Sequence, residues 1–226
     1  MVPDELTEAA FYGREDVAAL LDEGKVPLGL DLETVEPVTW ELKKGNLLYL
    51  TDKEEQMIQF VKQIAHSKQK VIVLAPAYNE LPEMEGVTIL STKEDYVAGI
   101  KKMEENIQLR LEQQKSQHEA TIVLYNQLEL MNDLSMDLQS SLNYVLEKGA
   151  RAGYATVAMS GSQLNRKIDE VSKSIKLYKQ AIVAMRITDQ SVLNVINRPV
   201  REEPLDSQVN YYVEDGFVRK VKVLMK

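Results

Sequence analysis

The chain predicts an α/β domain built on a largely parallel central sheet, closed by a β-hairpin near its C-terminal end. Three observations carry this. Short continuous apolar runs recur through the middle, among them Val71-Ile72-Val73-Leu74 and Thr121-Ile122-Val123-Leu124-Tyr125, and runs without polar alternation suit strands buried on both faces, as in parallel sheets. Amphipathic helical stretches separate these runs, and such alternation implies right-handed crossovers. Finally, Asp215-Gly216 stands between two strand-like runs, a strong short-range signal for a hairpin turn.

Residues 1–25 read as a helical lead-in: Glu15-Asp16-Val17-Ala18-Ala19-Leu20-Leu21 has helical spacing and Gly24 is a stop. Residues 26–31 read as a turn-rich approach because of Pro27 and Gly29. Residues 35–42 alternate like an edge strand, Pro37 being tolerable near its start and Trp40 a core or rim residue. There follow strand 46–50, helix 53–66, strand 70–75, a short apolar piece 87–90 and a helix over 93–117. On that helix Ile100, Met103, Ile107 and Leu111 form one stripe, read as a core face. Strand 120–125, helix 134–148 ending at Gly149, strand 154–159, a helix within 163–178, strand 180–187 and the hairpin 208–224 complete the pattern. Neither an internal repeat nor a linker breaks residues 26–226, so these form one domain after the lead-in.

Composition narrows the function. The 226 residues are 44% apolar and 27% charged, ordinary for a globular domain with an ample core. No apolar run is long enough to cross a bilayer, and the acidic start, Met1-Val2-Pro3-Asp4-Glu5, does not read as a signal peptide. The absence of cysteine excludes disulfides and thiolate metal sites and fits a reducing compartment. The two histidines, His66 and His118, are far apart near helix ends and read as solvated, so no multi-His metal site forms. A net charge of −8 argues against a general nucleic-acid binder, although a local basic stripe fits within an acidic total.

The stretch 45–65 has the order strand, turn, helix that a phosphate-binding loop requires, but not its residues. Such loops use glycines, so that backbone N–H groups curl round a phosphate, and a lysine that neutralises it. Here the turn and first helical residues are Thr51, Asp52, Lys53, Glu54, Glu55, Gln56, Met57 and Ile58. There is no glycine, and three carboxylates face one lysine. An ungapped match puts Met57-Ile58 where Lys-[Ser/Thr] would stand. Carboxylates stabilise a helix N-terminus and repel the anion it would otherwise attract.

A second place has a similar character. A metal-holding strand should end in a carboxylate, yet the strand Ile122-Val123-Leu124-Tyr125 ends in the amides Asn126 and Gln127, with Glu129 the nearest acid. By itself this is an ordinary core strand; beside the altered loop it reads as a degenerate metal position. Ser160-Gly161-Ser162-Gln163, after strand 154–159, is either a turn or a ligand loop. Leu128, Leu130, Met131, Leu134, Met136 and Leu138 crowd one region. They read as helix packing or as a groove for a partner helix, in which Leu130, Met131, Leu134 and Met136 would bind. Arg186 reads as lying late on its strand, either in an ion pair or facing a neighbouring subunit.

The pattern resembles FtsK/SpoIIIE-type ATPase domains. Val26-Pro27-Leu28-Gly29-Leu30-Asp31 with Glu36-Pro37-Val38 looks like their P-I-G-L-D…P-V opening strand. The loop at 51–58, the amide-ended strand at 122–127, Ala184-Met185-Arg186-Ile187-Thr188-Asp189 and the hairpin Tyr211-Tyr212-Val213-Glu214-Asp215-Gly216-Phe217-Val218-Arg219 follow in family order. The likeness is to the C-terminal ATPase domain of type VII secretion motors, the EssC/YukB/EccC group. It implies a RecA-like core, preceding ATPase domains in the same chain, WXG-type secretion substrates, and a place on the cytoplasmic side of a membrane-anchored protein. It also implies that Met1 begins a fragment of something longer. With both nucleotide motifs altered, the expectation is a non-hydrolysing module for substrate recognition, docking or regulation. No catalytic residue, cofactor or metal is expected, ATP·Mg binding is weak at best, and nucleic acid and membrane are not touched directly. The alternatives are a weakly active ATPase using Lys53 on phosphate and Glu129 on metal, or a relative of DNA translocases.

Overall fold

The computed structural model describes residues 3–224. Two short helices, α1 (Glu8–Tyr12) and α2 (Glu15–Asp22), precede strands β1 (Val26–Asp31) and β2 (Pro37–Trp40). Then come β3 (Leu47–Leu50), α3 (Glu54–Ala65), β4 (Val71–Leu74), β5 (Val87–Leu90), α4 (Lys93–Glu112), β6 (Ala120–Leu124), α5 (Gln127–Asp133) and α6 (Met136–Lys148). The chain continues through β7 (Tyr154–Ser160), α7 (Glu170–Lys176), β8 (Gln180–Val183), β9 (Val209–Glu214) and β10 (Phe217–Lys222). Among the described residues the strands form one sheet in the order β2-β1-β10-β9-β8-β3-β7-β6-β4-β5. From β8 to β5 every pairing is parallel, and from β8 to β2 every pairing is antiparallel.

The continuous apolar runs are explained by layers on both faces. Successive side chains of a strand point to opposite faces. In β3, Leu48 and Leu50 join the core under α4, α6 and α7, while Leu47 and Tyr49 join the core under α3. In β6, Ile122 and Leu124 take the first side, and Val123, followed by Tyr125, the second. A third, small core of Leu6, Phe11, Val17, Leu30 and Leu224 seats α1 and α2 against the antiparallel end of the sheet. The α4 stripe is a core face, with Ile100, Met103 and Ile107 buried and Leu111 partly buried. Its start is fixed by a capping box between Thr92 and Asp95.

Four expectations change in the structure. Residues 26–31 form a strand, not a turn, and all six are buried. Pairing to β2 on one side and β10 on the other overrides the local signals of Pro27 and Gly29. The register shifts between Pro27 and Gly29, so glycine marks an irregularity inside the strand. Residues 127–133 form a separate helix, α5, before Leu134 turns extended and the Ser135 hydroxyl caps α6. The strand begun at Gln180 ends at Val183, so Arg186 lies beyond it, at the start of a 3-10 turn. The long helix stops at Glu112; Gln114 then has positive φ.

Gly29 has a particular duty. A Cβ there would lie 2.2 Å from the Lys222 backbone oxygen and 2.8 Å from the Val221 side chain. Glycine therefore lets β10 approach β1 at the seam that carries the lead-in helices. Gly29→Ala should destabilise the domain by about 2 kcal/mol, a fall in Tm of about 4–8 °C for a chain of this size, measured by thermal unfolding.

Candidate functional site

In open α/β sheets the crevice beyond the carboxyl ends of the parallel strands is where ligands bind. Three segments meet there. Thr51, Asp52 and Lys53 follow β3, Gly161 and Ser162 follow β7, and Tyr125, Asn126 and Gln127 follow β6. Because β7 lies between β3 and β6, the loop after it is the bridge between the other two.

The side chains of this corner bind one another. The Asp52 carboxylate accepts the Ser162 backbone N–H at 2.8 Å. It lies so close to Gly161 that a Cβ there would come within 2.5 Å of its Oδ1. Thr51 is buried; its hydroxyl accepts the Lys53 backbone N–H at 3.1 Å and donates to Gln56 Oε1. The Glu54 carboxylate crosses to β6, accepting the Tyr125 hydroxyl at 2.8 Å. Burial, then the hydrogen bond and charge of Glu54, push the Tyr125 phenol well above the ordinary tyrosine range. Met57 is buried in the core under α3, and Ile58 is partly buried against it. Neither could be exchanged for a lysine aimed at the crevice without opening that core. Lys53 and Glu55 are exposed.

Gln127 is fully buried and fully engaged. Its amide accepts the Ser160 hydroxyl at 3.0 Å and donates to the Ser172 hydroxyl at 3.0 Å, joining the end of β6 to β7 and α7. Asn126 takes a left-handed backbone conformation at the start of α5, with φ 45° and ψ 60°, and its side chain makes no capping bond. The loop after β4 completes the rim. There Tyr96, on α4, donates to the Ala75 carbonyl at 2.6 Å, and burial with the charges of Asp133 and Asp95 pushes its phenol up to about 12.

The chain covers 99% of itself and 45% of a solved structure of EssC ATPases 2 and 3 from Geobacillus thermodenitrificans, with a TM-score of 0.87 and 18% identity. The fold is that of the EssC and EccC ATPase domains. A second solved structure, EccC ATPases 2 and 3 from Thermomonospora curvata in complex with a signal sequence peptide, matches all of the chain and 44% of its own length at TM-score 0.73 and 16% identity. In sequence the chain resembles the type VII secretion system protein EssC of Staphylococcus aureus (strain MRSA252), 24% identical over 234 residues. That match takes in 99% of this chain and 16% of the larger protein. No protein-family model matches the chain.

Within this RecA-like frame, the sequence-predicted residues fall into two groups. Thr51, Asp52, Lys53, Glu54, Asn126 and Gln127 converge on the corner. The expected partner groove does not assemble: Leu130 and Leu134 are buried in the core, Met131 is partly buried against it, and only Met136 is exposed, at 79%. The amphipathic stripe of α5 explains this, because the helix lies on β7 and turns its leucines into the sheet. Arg186 forms a two-pronged ion pair with Asp189 at 2.8 and 2.9 Å. His66 is exposed and stacked on Tyr12 with ring centroids 4.3 Å apart. Sequence reasoning did not connect Ser162 and Tyr125 to the loop after β3, nor Ser160 and Ser172 to Gln127. The polar composition of 160–163 hinted at Ser160 and Ser162 alone. Among the described residues no group of three or more His, Asp or Glu side chains is placed to hold a metal ion, and no helix is long and apolar enough to cross a membrane.

Two measurements follow from these contacts. Glu54→Gln should lower the Tyr125 titration midpoint, read by NMR of ring-labelled tyrosine, since the substitution removes a carboxylate that favours the protonated phenol. Gln127→Glu should place a carboxyl in a fully buried position and raise its pKa above the unfolded value of about 4.3. The variant's stability deficit should then be absent below about pH 4 and grow as pH rises through that value. Above the folded pKa it should level off, at about 2 kcal/mol in urea unfolding.

Proposed function

We propose that this domain serves a type VII secretion motor as a contact module that does not hydrolyse nucleotide. One observation carries the reading: the corner where the fold would seat a triphosphate is spanned by carboxylates already bound to the protein's own donors. The Asp52 and Glu54 carboxylates engage the Ser162 amide and the Tyr125 hydroxyl. No glycine lies between Asn46 and Ala65, and Met57 turns into the core. Phosphate would meet negative charge where it needs backbone amides and a cation.

The donor set at the end of β6 does not suit magnesium either. Gln127 is committed to two serines, and Asn126 brings no charge to offset a divalent cation. The residues present therefore do not fit a magnesium nucleotide, and no chemical step is assigned through one. Loss of electrostatic contacts of this kind is costly, removal of a single preorganised donor being worth about 3–4 kcal/mol in catalysis.

In this reading the domain acts by docking, within a longer chain on the cytoplasmic side of a membrane. Its partners would be the other ATPase domains of that chain and small helical secretion substrates. Similarity to EssC over the length of this chain supports that setting, and the peptide held by the EccC structure supports substrate contact as the kind of work such domains do.

Calorimetric titration of the purified domain with ATP·Mg tests the reading. The expected outcome is no saturable heat at concentrations up to about 1 mM, corresponding to a binding free energy weaker than about −4 kcal/mol. Magnesium-dependent binding in the micromolar range, lost on Lys53→Ala or Glu129→Gln, would instead establish a working site built from non-standard residues.

A further inference from the structure

Helix α3 carries a polar row where a second apolar one would be expected. Its buried stripe is Met57, Phe60, Val61 and Ile64, and Gln56, Gln59 and Gln63 run beside that stripe at helical spacing. Each glutamine commits half of its amide to the protein. Gln56 Oε1 accepts the Thr51 hydroxyl, Gln59 donates to the Glu8 carboxylate at 3.0 Å, and Gln63 donates to the Pro27 carbonyl at 2.5 Å. Among the described residues the Gln56 amide N–H groups and Gln59 Oε1 have no hydrogen-bond partner.

These glutamines line a space that the fold leaves unfilled. A cavity of about 170 Å³ is walled by Leu28, Tyr49, Phe60, Ile182, Val223 and Leu224, all but Val223 being buried. Leu224 belongs to the small core that seats α1 and α2, while the other five belong to the core under α3 or pack against it. The cavity thus marks the junction between two separately packed cores. Tyr49 and Phe60 stack with ring centroids 4.6 Å apart and planes inclined by 5°, giving one flat wall. Burial, opposed by contact with Asn210, pushes the Tyr49 phenol above the ordinary tyrosine range. Protein interiors hold few voids larger than a water molecule, and an apolar space of about 150 Å³ stays dry and takes up a small hydrocarbon.

The mouth is charged. Lys53, Glu55 and Ser207 line the cavity and are exposed, which places the opening there. Among the described residues neither the Lys53 ammonium nor the Glu55 carboxylate has an ion pair or a side-chain hydrogen bond. One cation and one anion therefore stand unpaired beside an apolar interior.

We propose that this cavity binds a free amino acid with a large aliphatic side chain, of leucine or isoleucine size. The side chain fills the apolar space, the carboxylate meets Lys53 and the Gln56 amide, and the ammonium meets Glu55 and the Gln59 carbonyl. Removal of apolar surface from water supplies affinity, and the two opposite charges select a zwitterion over a fatty acid, an amine or a hydrocarbon. The site uses neither Asp52 nor Glu54 and does not rest on the reading of the nucleotide corner; titrations with amino acid and with ATP·Mg read the two separately.

Methyl NMR of the domain labelled in its leucine, isoleucine and valine side chains tests this. With L-leucine, the resonances of Leu28, Ile182, Val223 and Leu224 should shift together and saturate with a Kd on the order of 100 µM. L-Alanine should give no saturable shift up to about 10 mM. Leucinamide, which lacks the carboxylate, and isocaproate, which lacks the ammonium, should each bind about tenfold more weakly than L-leucine. Lys53→Ala should weaken L-leucine about tenfold and leave leucinamide unchanged, and Glu55→Gln should weaken L-leucine about tenfold and leave isocaproate unchanged. Both positions are exposed, so the variants should keep the Tm of the unaltered domain. No saturable shift of these methyls with L-leucine up to about 10 mM, or affinity indifferent to both substitutions, would overturn the proposal. Isoamyl alcohol bound as tightly as L-leucine would reduce the site to a hydrocarbon hole. Adenosine acting on the same methyls at lower concentration than L-leucine would overturn the amino acid as ligand.

Discussion

The arrangement depends on the complete burial of β3. Leu47, Leu48 and Leu50 have no exposed surface, and Tyr49 has almost none. The strand is paired on both edges, to β7 and β8, and covered on both faces. A strand enclosed on four sides has one place to release polar backbone, its carboxyl end. The chemistry of residues 51–53 is therefore the chemistry of the crevice. Thr51 continues the ladder, its N–H bonding to the Ser160 carbonyl, and the next residue is free to turn.

What happens at that turn reflects competition for a few donors. Backbone amides beyond parallel strands attract anions, and an anion supplied by the protein's own chain arrives without the entropic cost of association. Asp52 is such an anion for the Ser162 amide, and Glu54 for the Tyr125 hydroxyl. The same logic governs Gln127, whose neutral amide can accept from one serine and donate to another in a site too buried for an unpaired carboxylate. The amide of Gln127 just beyond β6 thus has a structural consequence: it ties β6 to β7 and α7 through Ser160 and Ser172.

Elsewhere, polar side chains occupy the ends and edges in the same manner. Glu202 gathers the Ile187 and Thr188 amides beyond β8, and although burial opposes its charge, those amides and a Tyr211 hydrogen bond hold its carboxyl below the usual range. Asn197 bonds both the N–H and the carbonyl of Val218, covering part of β10 that β1 does not reach. Exposed strand edges invite unwanted pairing, and one side chain here mimics the missing neighbour.

The sequence by itself determined the α/β alternation, the parallel character of the middle strands, the hairpin at Asp215-Gly216, and the absence of a glycine cradle from the loop after β3. These are local properties, set by side-chain periodicity, turn chemistry and residue type. Only the tertiary structure decided that residues 26–31 are a strand, since their pairing partners β2 and β10 lie across the fold and outweigh Pro27 and Gly29. It alone decided that Leu130 and Leu134 face the core, because an amphipathic stripe does not say which surface covers it. It also decided that Asp52 meets Ser162 and Glu54 meets Tyr125. Those partners are 110 and 71 residues apart in the chain, and no periodicity reaches that far; only the order of strands in the sheet brings them together.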